Sequence, residues 1–242
     1  MSFSRRAIAS FGVALMLAGG TGLAWAGGPS FDCRKAQLPA EKAICADKKM
    51  AAIDVLANKA FGSFQPEFSD KRQIARSLIA DRNACGADAA CIVSAQNNAL
   101  ETYGTVPSWV QNYNIALIGK KALDFAAGTS NPADQPLPSS IGSCSFTHIA
   151  MLTARIGDDP LATASPEAGS AASFTNGGTA VSYDREPGLV SASVGDPVVM
   201  CLISIPRDCP QGDVRGRVYY AVDLAHKGTW ALPDSQHMCG GA

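Results

Sequence analysis

The stretch FDCRKAQLPAEKAICADKKMAAID, Phe31–Asp54, decides how this chain reads. Cys33 and Cys45 flank a segment that contains Pro39 and Glu41. Pro39 is tolerated in a first helical turn, because the N–H it lacks has no partner there. Ile44 and Cys45 come one turn later and can face inward together. Asp47 stands where a helix N-cap is wanted, its carboxylate free to accept from the N–H groups that follow. The spacing predicts a short helix, a capped corner and a long helix, with Cys33 tying down the incoming chain.

Working outward, Lys48–Phe64 reads as that long helix, with Met50, Ile53, Ala57, Ala60, Phe61 and Phe64 on one apolar stripe. Pro66 ends it. A second helix is expected over Asp70–Asn83, capped by Ser69 or Asp70, with Ile74, Leu78 and Ile79 inward. Cys85 and Cys91 bracket a tight turn. A third helix over Asp88–Tyr103 uses Ile92, Ala95, Ala99 and Tyr103. Trp109–Ala127 is helical in period through Trp109, Tyr113, Leu117, Lys120 and Asp124, and packs on one half of the chain or the other. Thr129–Gly142 carries three prolines and reads as a linker.

From Cys144 the pattern changes. Phe146–Ile156, Ala180–Tyr183, Val198–Ile205, Val218–Leu224 and Gly228–Leu232 are short β-prone runs, separated by turns at Asn176-Gly177-Gly178 and Gly195-Asp196-Pro197. Val199, Cys201 and Ile203 alternate, placing Cys201 toward a core. The expected class is α+β and multidomain. A disulfide-stapled helical domain (27–103) is followed by a helical segment and linker (104–142), then a small all-β domain (143–242), barrel- or sandwich-like.

Residues 1–26 read as a secretory signal peptide. Arg5 and Arg6 form the basic start, Phe11–Leu23 is apolar and broken by glycines, and Ala24-Trp25-Ala26 is a cleavage site. The run is too short for a membrane span. The faint twin-arginine look of Ser4–Ile8 is poorly supported by Ala9 and Ser10, so the general secretory route is favoured. No cysteine stands directly after the cleavage site, where Gly27 follows Ala26, which argues against a lipid anchor. The formal charge is −1, giving about −3 once the two leader arginines are gone, and no basic face for nucleic acid is present. A periplasmic or secreted location follows.

All eight cysteines lie after the leader, which fits an oxidising compartment. Cys33, Cys45, Cys85 and Cys91 precede the linker; Cys144, Cys201, Cys209 and Cys239 follow it. With no C-x-x-C pair, neither a zinc knuckle nor a thioredoxin-like centre has its spacing. Proximity favours Cys33–Cys45 and Cys85–Cys91, with a crossed pattern between these pairs as the rival. In the β half, Cys201–Cys209 would close a hairpin loop and Cys144–Cys239 would tie the sheet's ends. Each short-loop disulfide adds on the order of 3 kcal/mol, offsetting a small core.

The residues Phe31-Asp32-Cys33, Glu41–Asp47 and Asp54, then Arg82–Cys85 and Asp88–Ile92, resemble the N-terminal domain of LprI-type lysozyme inhibitors. The resemblance covers about residues 28–103 and implies a small helical secreted domain. Lys48-Lys49 stands where that family often has Pro-Glu, removing an acidic feature at a helix N-terminus. The β half loosely resembles a companion domain of proteobacterial secreted proteins, through Gly195-Asp196-Pro197, Cys209-Pro210, Gly212-Asp213, Arg215-Gly216, Trp230 and Asp234–His237. No activity attaches to it.

Catalytic chemistry is not indicated. His148, His226 and His237 have no second histidine at metal-ligand spacing, so no metal site or cofactor is expected. Asp234, Ser235 and His237 are too close in sequence for a triad and read as a turn cluster. Glu41 reads as a cap and Asp54 as a surface or turn carboxylate rather than a catalytic pair. Arg207, Arg215 and Arg217 are a candidate anion-binding set, weighed against local pairs with Asp208 or Asp213. The expected function is a non-enzymatic secreted binding protein resembling lysozyme inhibitors. The partner would be lysozyme or another envelope protein, met through loops Gln65–Asp70 or Asn83–Asp88. The alternatives are a structural or interaction module of the envelope and, behind it, a cell-wall-directed hydrolase using His148 or His237.

Overall fold

A computed structural model describes residues 28–129, 132–157 and 159–241; the leader lies outside them. Helix α1 spans Pro39–Ala46, and the Glu41 carboxylate secures its start by accepting from the Gln37 and Leu38 N–H groups at 2.9 and 3.1 Å, half of a capping box, since Leu38 has no side-chain acceptor. Asp47 then caps α2 (Lys48–Ser63) through the N–H groups of Lys49 and Met50. Asp70 caps α3 (Lys71–Ala84), and Asp88 caps α4 (Ala89–Tyr103). Helix α5 covers Ser108–Ala126.

Helix α4 is the axis of the molecule. Every residue from Ala90 to Leu100 is buried, because α2, α3 and α5 surround it and strand β4 covers its remaining side. The apolar stripe expected of it is therefore only part of its buried surface. Ser94, Gln96, Asn97 and Asn98 are buried as well, and they need partners inside the protein. Ser94 Oγ donates to Asn114 Oδ1 of α5 at 2.7 Å, and Gln96 Nε2 donates to the Met50 carbonyl at 3.0 Å. The inward row of α5 is Val110, Asn114, Ile118 and Ala122, one residue along from the stripe that Trp109 begins. Trp109 is 42% exposed. The sequence hid this row because it includes a polar Asn114, whose partner is on another helix.

Six strands form one antiparallel sheet in the order β3-β2-β1-β4-β5-β6. They are β1 Cys144–Thr153, β2 Ser170–Phe174, β3 Thr179–Ser182, β4 Pro197–Ser204, β5 Val218–Asp223 and β6 Thr229–Pro233. The sheet curls into a half-barrel. Its two edge strands approach closely enough for Thr179 Oγ1 to donate to the Asp234 carbonyl, and Tyr183 donates to that of Gln236. Strand β2 is not among the β-prone runs, because SAASF is rich in small residues of low strand propensity. It alternates all the same, with Ser170, Ala172 and Phe174 inward. Strand β4 is buried on both faces from Val198 onward. Val198, Met200 and Leu202 fill the inside of the curl with Phe174 and Trp230. Val199, Cys201 and Ile203 face the helices.

Helices and sheet share that second cluster: Ala90 of α4 and Ile118 and Ala122 of α5 pack with Phe146, Val199 and Tyr220. A polar seam runs beside it. Asn98 Oδ1 accepts from Ser204 Oγ at 2.7 Å and from the Ile205 N–H at 3.1 Å. Arg207 pairs with Asp81 of α3, and Asp208 accepts from the Glu67 and Phe68 N–H groups at 2.6 and 2.8 Å. The proline-rich stretch before β1 is docked as well. The Gln135 N–H donates to the Phe146 carbonyl at 2.9 Å, and that of Gly142 to Leu202 at 2.8 Å. Gly142 has φ +76°, and a Cβ there would sit 2.5 Å from that of Cys91. Glycine is thus demanded by conformation and by space.

All eight cysteines are paired, each within its own half of the sequence: Cys33–Cys45, Cys85–Cys91, Cys144–Cys201 and Cys209–Cys239. The first two are the pairs that proximity favours. The last two correct the pairing expected in the β half. Cys144 and Cys201 lie directly opposite each other on neighbouring strands β1 and β4, so register brings together residues 57 apart in sequence. Cys209 then fastens the loop after β4 to the C-terminal segment.

Candidate functional site

Helices α2, α3 and α4 line a cleft of about 230 Å³ that is partly open to solvent. Its walls are apolar: Ala57 and Phe61 from α2, Leu78 and Ile79 from α3, Ala99 and Tyr103 from α4. Tyr103 stands edge-on to Phe61, with ring centroids 5.6 Å apart, and burial pushes its phenol pKa up. A few polar groups gather at one end. Asp54, 7% exposed, accepts from the Ser30 N–H at 2.7 Å, from Ser30 Oγ at 2.6 Å and from Arg82 Nη1 at 3.2 Å. Arg82 also donates to Asn83 Oδ1 at 2.9 Å through Nη2 and lies over the Phe31 ring. Gln96 lines the same cavity, and its Oε1 is buried without a donor. An apolar chamber with a small number of fixed polar groups is the usual form of a small-ligand seat.

This corrects the surface or turn role expected for Asp54, which is a buried carboxylate holding three hydrogen bonds. Arg82, Ser30 and Gln96 went unassigned by sequence reasoning. A signal existed for two members of the set. Ile74, Leu78 and Arg82 fall on one face of α3, and Met50 and Asp54 on one face of α2. Two opposite charges interrupting apolar faces of neighbouring helices call for each other.

The other candidates are dispersed. Arg215 pairs with Asp213 at 2.8 Å and holds that carboxyl well below the usual range, whereas Arg207 reaches Asp81 and not Asp208. Arg207 and Arg215 are thus each taken up by a different carboxylate. Ser235 Oγ donates to the backbone carbonyl of His237, while Asp234 accepts from the Gly216 N–H, so no triad forms. His148 Nδ1 meets Asp134 at 2.8 Å. One grouping of metal-ligating side chains does arise, where Asp196, Asp223 and His226 meet at the end of the sheet. The hydrogen bond to Asp196 holds the His226 pKa above the ordinary histidine value. Both loops expected to meet a partner are tied down. Two N–H groups of Gln65–Asp70 bond Asp208, and Asp88, closing Asn83–Asp88, is paired with Lys121 at 2.6 Å.

Among the described residues, no helix is long and apolar enough to cross a membrane. Comparisons with protein-family models, with curated proteins and with solved structures return no match.

Proposed function

We propose that this chain is an exported, non-enzymatic binding protein whose ligand seat is the cavity between α2, α3 and α4. The observation that carries the reading is the combination of apolar walls with a small polar group, Ser30, Asp54, Arg82 and Gln96, in the lining. Asp54 and Arg82 satisfy each other and their neighbours, so they shape the chamber rather than offer free charge. The ligand is then a compact apolar group, such as an inserted side chain or a small amphiphile. Four disulfides are compatible with work outside the cytoplasm.

The resemblance of residues 28–103 to LprI-type inhibitors makes C-type lysozyme the first partner to test. A turbidity assay with the mature protein at micromolar concentration measures it. Slowed lysis, relieved by an Ala99→Trp variant that fills the cavity, supports lysozyme as the partner and the cavity as its contact. Unchanged lysis removes lysozyme. The cavity itself is tested by anilinonaphthalene sulfonate fluorescence. Enhancement in the wild type and loss in Ala99→Trp supports a ligand seat, and equal signals contradict it.

A further inference from the structure

We propose that Asp196, Asp223 and His226 form a binding site for a zinc-class divalent cation. Asp196 lies in the turn before β4, Asp223 ends β5, and His226 sits in the turn between β5 and β6. His226 Nδ1 is 2.8 Å from Asp196 Oδ2 and 3.3 Å from Asp223 Oδ2. One ligand atom from each residue lies within 4.8 Å of the others. The atoms of a tetrahedral zinc shell stand roughly 3.4 Å apart, given bonds of about 2.1 Å, so small movements close the set.

A second observation points to a ligand. Asp223 is 0% exposed, and its Oδ2 is buried without a hydrogen-bond donor. Its other oxygen is satisfied by the Ala225 and His226 N–H groups at 2.7 and 3.1 Å, which fixes the carboxylate so that Oδ2 faces the imidazole. A single proton on Nδ1 can serve only one of the two carboxylate oxygens before it, and Asp196 is the nearer. A cation in that place is shared by all three ligand atoms and leaves no buried oxygen orphaned. The ligands are held ready. The Ser193 N–H donates to Asp196 Oδ2 at 2.7 Å, and the Leu224 N–H donates to the Pro197 carbonyl at 2.9 Å, clasping the two turns together. Such outer contacts orient metal ligands. Lys227, next to His226 in sequence, turns its ammonium to the Leu224 carbonyl at 2.6 Å. One imidazole nitrogen with two carboxylate oxygens suits zinc and its transition-metal neighbours better than magnesium or calcium, which prefer all-oxygen shells. His226 is 45% exposed on its side chain, leaving the remaining coordination positions open to water.

The test is equilibrium dialysis of the chelator-stripped mature protein against zinc chloride, with bound metal counted by mass spectrometry. One zinc per chain at micromolar concentration is expected, with affinity lowered about tenfold or more in His226→Ala and unchanged in His148→Ala. Asp223 is buried, so Asp223→Asn is at risk of misfolding. The exposed His226 variant, with zinc-dependent thermal stabilisation as a second readout, keeps the proposal testable. Stabilisation present in the wild type and absent in His226→Ala supports it. Binding only at millimolar zinc, equal binding by His226→Ala, or calcium or magnesium binding as tightly as zinc overturns it.

Discussion

At the scale of single residues, two buried polar arrangements carry most of the information. Asp54 and Arg82 form an ion pair with side chains 9% and 13% exposed. Breaking such a pair from one side strands a charge, which costs about 3–5 kcal/mol. Arg82→Met is therefore expected to lower the urea midpoint strongly. The double variant Asp54→Asn/Arg82→Met recovers much of the loss, and simple additivity of the two single changes would contradict the pairing. The second arrangement is Glu101 against Ser204. Ser204 Oγ has one hydrogen but two acceptors, Asn98 Oδ1 at 2.7 Å and Glu101 Oε2 at 2.6 Å. A protonated Glu101 resolves this by donating to Ser204, and desolvation of the carboxyl does push its pKa up. The residue as a whole is exposed, with only its carboxyl turned inward, so the effect is modest. A raised folded pKa means the native state holds the proton more tightly than the unfolded chain does. The stability this contributes is present below the ordinary glutamate pKa and is lost as pH rises through the raised value. Glu101→Gln, which keeps a donor at every pH, is expected to be more stable than the wild type at neutral pH. The difference should vanish in mild acid when midpoints are compared across pH.

At the scale of elements, the helix starts were legible and the helix faces were not. Asp47 and Asp70 announced two N-termini through cap chemistry that is local in sequence, and Asp88, read only as the first residue of its helix, caps a third. Helix α4 misled because its polar run Gln96-Asn97-Asn98 has the composition of a solvent face. Burial of Asn98 in that run involves strand β4, more than a hundred residues further on. Strand β2 was invisible for a related reason: small residues become strand-like only when neighbours pair with them. The same limit explains the cysteines. Loops of 12 and 6 residues gave the first two pairs, whereas Cys144–Cys201 rests on strand register that no local rule supplies. The cavity was half legible, through the misplaced charges of Asp54 and Arg82; the grouping of Asp196, Asp223 and His226 was not, because its members come together only when β4 and β5 pair. Helix α5 lies close on the sheet because Gly119 has no side chain. A Cβ there would meet the Tyr220 hydroxyl at 2.9 Å. Gly119→Val is expected to cost about 1–3 kcal/mol by overpacking, read in the thermal midpoint, and no loss would mean that α5 does not lie against β5 as described.

At the scale of the whole molecule, the sequence divides into a helical part and a β part, and the cysteines respect that division. The packing does not. Ile118, Ala122 and Ala90 from the helices complete a cluster whose other members belong to β1, β4 and β5. The Asp81–Arg207 pair and the Asp208 cap add polar ties across the same boundary. Removing the helices would expose one face of β4, and removing the sheet would expose Ile118 and Ala122 of α5. The two parts are thus expected to lose structure together. Differential scanning calorimetry of the oxidised mature protein reads this coupling. One transition, with calorimetric and van't Hoff enthalpies in agreement, is the predicted result; two resolved transitions, one assignable to the helices and one to the sheet, would contradict it.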